Sequence, residues 1–131
     1  MTDHTNDLLI RIKNAYLSRH KEIVLPYFKL GENIGKLLVA NNYLGKIEVI
    51  EDKKSKAKKI KIELLYKNRK PAVTGVKIIS KPGIRVYGKA KKLGYTISGI
   101  GLTIVTTPLG VITGKEASKK KVGGEVIAEV W

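Results

Sequence analysis

The chain has no cysteine. Disulfides, thiolate metal sites and cysteine nucleophiles are therefore excluded, and the fold is held by non-covalent forces alone. Aromatic residues are only 6% of the sequence, too few for a platform on which a long single strand would stack. There are two histidines, His4 and His20, and neither has a metal-ligand spacing or a Ser/Asp pair that would make a triad. No run approaches the ~20 apolar residues of a membrane span, and the first residues lack the apolar centre of a secretory signal. A soluble, cytoplasmic protein with no membrane partner is the expectation. Carboxylates are also scarce, with 11 Asp+Glu against 26 Lys+Arg.

That imbalance leaves a formal charge of +15 on 131 residues. Hydrophobic residues at 43% suffice for a core, so this is a folded basic protein and not a disordered tail. A polyanion is the natural partner, nucleic acid first. The charge is uneven: residues 1–66 carry a net +5 and residues 67–131 a net +10. The second half is the expected polyanion face.

Apolar periodicity places a first helix with Leu8, Leu9, Ile12, Ala15 and Tyr16 on one face, capped by Asp3 or Thr5, and Arg11, Lys13 and Asn14 off that stripe. A strand at 22–26 ends in Pro26, which marks an edge or an end. A helix over 28–41 carries Leu30, Ile34, Leu37 and Leu38, weakened by Gly31 and Gly35. Strands at 46–51 and 59–66 flank a lysine-rich loop at 52–58. The first half reads α-β-α-β-β, helices layered on a small sheet. The polar stretch 67–72, with Pro71, is the expected joint between two small domains, 1–66 and 73–131. Beyond it come strands at 73–79 and 84–87 around the turn Lys81-Pro-Gly83, a basic helical turn at 88–93 and a glycine-rich loop at 94–101. The fold class is thus α/β of the α+β kind, the second domain mostly β with short helices.

The stretch 101–131 combines several signals. Residues 101–105 form an apolar, β-branched strand, and Thr106-Thr-Pro-Leu-Gly110 breaks it. Thr113-Gly-Lys-Glu116 fits a capping box. The short helix it opens ends in Lys119, Lys120 and Lys121, with Gly123-Gly124 expected in the left-handed conformation of a helix stop. A final strand covers 125–131. Gly110-Val-Ile-Thr-Gly-Lys115 fails as a phosphate-binding loop. It has one residue too few before the Gly-Lys pair, and Glu116 stands where a metal-binding hydroxyl belongs. No enzymatic activity and no cofactor are expected. Hydroxyls, glycine backbone and lysines in a folded loop suit structured RNA, which is read through shape, 2′-hydroxyls and displaced bases. A general basic module for DNA is the alternative.

Arg11-Ile-Lys-Asn-Ala15, Lys81-Pro-Gly-Ile-Arg-Val-Tyr87, Gly99-Ile-Gly101, Thr113-Gly-Lys-Glu-Ala…Val122-Gly-Gly-Glu-Val126 and the terminal Val130-Trp131 together resemble the bacterial small-subunit ribosomal protein S8 family. The match runs in order along essentially the whole chain. The resemblance implies two small α/β domains and a primary ribosomal RNA-binding protein. It implies docking on an irregular helix of the central domain of the small-subunit RNA, neighbouring small-subunit proteins as further partners, and in some bacteria repression of the protein's own operon mRNA. Carried onto this chain, the contacts are Thr106, Thr107, Gly123, Gly124, Glu125 and Tyr87. Gly110, Lys115, Arg85, Lys13 and Asn14 are added as further candidates. Where the family loop reads Ser-Thr-Ser-Lys-Gly, this chain has Pro108, which removes a hydroxyl and a backbone donor, and Leu109, which removes a cation.

Overall fold

The computed structural model describes residues 2–93 and 101–131; of the loop expected at 94–101, all but Gly101 lies outside the described residues. The backbone groups into two compact units, one of Asp7–Thr74 and one of Met1–Asn6 with Gly75–Trp131. The fold is mixed α+β, as the pattern of apolar residues predicts.

The first unit contains most of helix α1 (Thr2–Leu17), then β1 (Glu22–Pro26), α2 (Lys29–Ala40), β2 (Lys46–Glu51) and β3 (Lys58–Glu63). Helix α1 already runs from Thr2, so Asp3 and Thr5 lie inside its first turns instead of capping it, and Thr5 is buried. The expected apolar stripe is the buried one: Leu8, Leu9, Ile12, Ala15 and Tyr16. The three strands are antiparallel in the order β1-β3-β2, which puts Pro26 at the end of an edge strand where its missing donor costs nothing. Cross-strand rows explain the alternation. Ile62 of β3 lies between Ile23 and Ile47, and Ile60 between Leu25 and Val49. Both central isoleucines are fully buried, each contributing about 1.5–3 kcal/mol. On the opposite face Lys61 reaches Glu22 at 3.4 Å.

The glycines of α2 look unfavourable by propensity but are required by packing. A Cβ on Gly35 would overlap Cδ1 of Ile47, and one on Gly31 would lie 2.6 Å from the Phe28 ring. At Gly35 helix and sheet approach closely because the position lacks a side chain, and at Gly31 the same lack lets the Phe28 ring fold back onto the helix it caps. The lysine loop is better ordered than its composition implies. Asp52 accepts the Lys54 N–H at 2.9 Å, the Lys56 N–H bonds to the Asp52 carbonyl, and Lys56 adopts φ 57°. The bond from Lys54 holds the Asp52 carboxyl below its usual pKa.

Residues of the expected joint form a hairpin, β4 (Tyr66–Lys67) and β5 (Lys70–Pro71). Asn68 and Arg69 at its tip both have positive φ, 52° and 66°, the signature of a two-residue type I′ turn. Tyr16 ties this region to the helices. Its hydroxyl donates to the Tyr43 carbonyl at 2.6 Å and accepts the Leu65 N–H at 3.0 Å. Its ring meets Tyr66 edge-on at 5.5 Å, and Arg19 covers the Tyr66 ring at 5.9 Å. Burial raises the Tyr16 pKa, keeping it a neutral donor.

The second unit is built on a sheet around β10 (Gly124–Val130). On one side β10 pairs with β6 (Val76–Ile78) and β7 (Tyr87–Gly88). On the other it pairs with β8 (Leu102–Thr107), which is followed outward by β9 (Gly110–Thr113). Short helices α3 (Ala90–Leu93) and α4 (Gly114–Lys119) complete it. The returning strand expected at 84–87 is reduced to β7. Ile84 makes only an isolated bridge to Lys81 across the Pro82-Gly83 turn, where Gly83 takes φ 82°. The row Ile112–Val105–Val126 crosses β9, β8 and β10, and Ala117 of α4 closes it into a core cluster.

The Tyr16 hydroxyl bonds two backbone groups, the Tyr43 carbonyl and the Leu65 N–H. Tyr16→Phe should lower the stability of the chain by about 1–3 kcal/mol, measured as a lower urea midpoint, with the helical circular dichroism of the folded state unchanged.

Candidate nucleic-acid interface

Three strands align the central residues. Glu125 of β10 pairs with Tyr87 of β7 on one side and with Thr106 of β8 on the other. Directly opposed residues share a sheet face, so Tyr87, Glu125 and Thr106 stand in one row. Tyr87 is 71% exposed. The Glu125 side chain is only 17% exposed and meets Arg85 Nη1 at 3.4 Å. Pairing with Lys115 or Lys121, the ordinary explanation for a carboxylate here, is not what the structure shows. The Thr106 hydroxyl is enclosed and has no hydrogen-bond partner among the described residues.

Beside this row Gly88 pairs with Gly124. Neither Gly123 nor Gly124 is in the left-handed conformation expected of a helix stop. They are glycine because backbone fills the space of a side chain. A Cβ on Gly123 would lie 2.7 Å from the Gly88 carbonyl oxygen, and one on Gly124 would overlap the Thr106 carbonyl oxygen. The stop itself falls two residues earlier. Lys120 caps α4, the Lys121 N–H bonds to the Ser118 carbonyl at 3.2 Å, and the Val122 N–H to the Ala117 carbonyl at 3.0 Å. This is a Schellman end with Lys121 in the left-handed position, φ 57°. At the opposite end of α4 the Thr113 hydroxyl accepts the Glu116 N–H at 3.1 Å, the first of the two bonds of the expected capping box.

The result is an open cleft of about 670 Å³ lined by residues of β7, α3, β8, the 107–110 turn and the start of β10. It brings together Tyr87, Thr106, Thr107, Gly123, Gly124 and Glu125. Arg85 is held at its margin by Glu125. Gly110 and Lys115 are exposed but do not line it. Lys13 is half-buried in α1, and Asn14 lines a smaller concavity of about 230 Å³ in the other unit with Arg11, Ser18 and His20. Gly88, Lys89, Ala90 and Lys121 line the cleft without having been named as site residues from sequence, and Pro108, noted there only as a departure from the family loop, lines it too. The only signal for the first four was the basic turn at 88–93 and the lysine run at 119–121.

Two hydroxyls that look alike in sequence have opposite roles. The Thr107 hydroxyl is consumed by its own turn, accepting the Leu109 N–H at 3.1 Å and donating to the Gly110 carbonyl at 2.9 Å. Thr107 is buried, and Gly110 takes φ 114°, a conformation that asks for glycine. Thr106 keeps its hydroxyl uncommitted. A third hydroxyl, missed entirely from sequence, aligns the row. Buried Ser80 donates to the Val126 carbonyl at 2.6 Å and accepts the Val86 N–H at 3.0 Å. It thereby clasps the residues that precede Tyr87 and follow Glu125. Among the described residues no group of His, Asp or Glu is placed to hold a metal ion.

The family model of ribosomal protein S8 matches residues 3–131. The small ribosomal subunit protein uS8 of Leuconostoc citreum (strain KM20) is 45% identical over 132 residues, spanning 100% of this chain and 98% of that protein. Those of Staphylococcus haemolyticus (strain JCSC1435) and Staphylococcus aureus (strain JH9) are 42% and 41% identical over the same spans.

Thr107→Ala removes the acceptor of one turn hydrogen bond and the donor of another. It should cost about 1–3 kcal/mol of stability, read from urea unfolding. Thr107→Ser should restore most of it, because serine carries the same hydroxyl.

Proposed function

Since the chain belongs to the ribosomal protein S8 family, we propose that it binds ribosomal RNA through the cleft between β7, β8 and β10. It does so as a structural component of the small ribosomal subunit. One observation carries the reading: the aligned row of Tyr87, Glu125 and Thr106 beside a floor of bare glycine backbone. Each part suits a displaced base in structured RNA. Tyr87 offers an exposed ring for stacking, and Thr106 lines the cleft while its hydroxyl stays enclosed within the protein. Glu125 offers oxygens that accept from a base amino group, and Gly123 and Gly124 line the cleft beside it. Lys89 and Lys121 supply the positive charge for phosphates.

The salt bridge to Arg85 explains how a carboxylate is tolerated at such a surface. Its charge is balanced within the protein, so RNA meets an oriented acceptor and not an isolated anion. Residues 73–131 form the RNA-binding domain in this reading. The partner is the irregular helix in the central domain of the small-subunit RNA. Binding there aids subunit assembly, neighbouring small-subunit proteins complete the surroundings, and an operon mRNA of the same shape would compete for the cleft.

Specificity and affinity should separate by mutation. Tyr87→Ala should weaken binding to the structured RNA by about 1–3 kcal/mol while leaving the unfolding midpoint close to wild type, since the Tyr87 ring is 71% exposed. Changing Lys53, Lys54, Lys56 and Lys58 to Gln should affect structured RNA and a random duplex alike, or neither. The wild-type chain should favour structured RNA over duplex DNA at matched salt in filter binding. With roughly 4–6 phosphates neutralised, log K should fall with log[salt] at a slope of about −3 to −5. A slope near −10 without preference for structured RNA would reduce the protein to a nonspecific polycation.

A further inference from the structure

Three lysines follow one another at 119–121, but among the described residues only Lys121 of the three lines the cleft. Lys119 lies in the last turn of α4, and Lys120 is right-handed at φ −82°. Lys121 is left-handed at φ 57°. That position of a Schellman end favours glycine, because every L side chain crowds its own backbone there. The nearby glycines do not serve this purpose, since Gly123 and Gly124 are used for close backbone approach. A lysine therefore occupies a site where helix termination alone would select glycine. A residue held in a disfavoured conformation at a surface cleft points to a role for its side chain. No salt bridge engages Lys121 among the described residues, and Glu125, the carboxylate lining the same cleft, is already held by Arg85.

Resting on the RNA-binding reading above, we infer that Lys121 is a fixed phosphate contact. Its ammonium holds a backbone phosphate of the same RNA segment whose base faces Tyr87, Glu125 and Thr106. The left-handed backbone is the device that turns this one lysine of the run into the cleft. Local stability is given up for a positioned charge.

Lys121→Gly separates stability from binding, because it relieves the backbone and removes the charge together. The thermal midpoint should stay equal to wild type or rise. The affinity for structured RNA should fall about fivefold, and the salt slope should become shallower by about one, the signature of a single lost phosphate contact. Lys120→Gly should leave the slope unchanged, and Lys121→Arg should restore both affinity and slope. Wild-type affinity and slope in Lys121→Gly would overturn the assignment, as would an equal loss in Lys120→Gly. If wild-type protein itself showed no preference for structured RNA, the reading of the cleft would fall and Lys121 with it. If that preference held while Lys121→Gly bound normally, only the role of Lys121 would fall.

Discussion

Backbone against backbone at Gly123 and Gly124 is the constraint on which the second unit depends. Strand β10 takes partners along both of its edges, and at its first residues those partners come so near that no Cβ fits. From this follow the pairing of Glu125 with both Tyr87 and Thr106 and the glycine floor beside that row. Ser80 reinforces the same junction from below. Its single hydroxyl serves one backbone group on each side, so neither is left buried and unpaired. The cleft is thus a by-product of how one central strand is gripped.

This grip also separates two kinds of positive surface. The lysines of the 52–58 loop hang on an ordered turn, but their side chains extend into water. They attract any polyanion. In the cleft, a ring, a carboxylate and a hydroxyl are set by strand register, and the carboxylate is balanced by Arg85. Fixed donors and acceptors discriminate among partners, whereas solvated charge raises affinity for all of them. Most of the molecule's charge thus lies outside the place where recognition is proposed.

The first unit obeys the same economy. Gly31 and Gly35 sit in a helix that propensity alone would weaken; Gly35 lets that helix rest on Ile47, and Gly31 makes room for the ring of its own cap residue Phe28. Tyr16 serves two backbone groups with one hydroxyl, as Ser80 does. In both units, residues that look like local defects or surplus polarity are the ones that let elements approach.

Most of the element order, the buried stripe of α1, the central isoleucines of β3 and the Thr113 cap of α4 were legible in the sequence, because each depends on residues a few positions apart; the β4–β5 hairpin was not, standing where a joint was expected. Family membership was legible too, since ordered motifs along the whole chain carry it. The membership of the cleft was legible only in part. Tyr87, Thr106 and Glu125 are far apart in sequence, and strand register alone made them neighbours. Tertiary structure also decided which of two adjacent threonines keeps its hydroxyl free. It decided that Gly123 and Gly124 answer to neighbouring strands and not to helix ending, and that Lys121 is the lysine turned inward. Local pattern reports the conformation a residue prefers, whereas these outcomes depend on which atoms of distant segments occupy the adjoining space, and only the folded chain brings those atoms together.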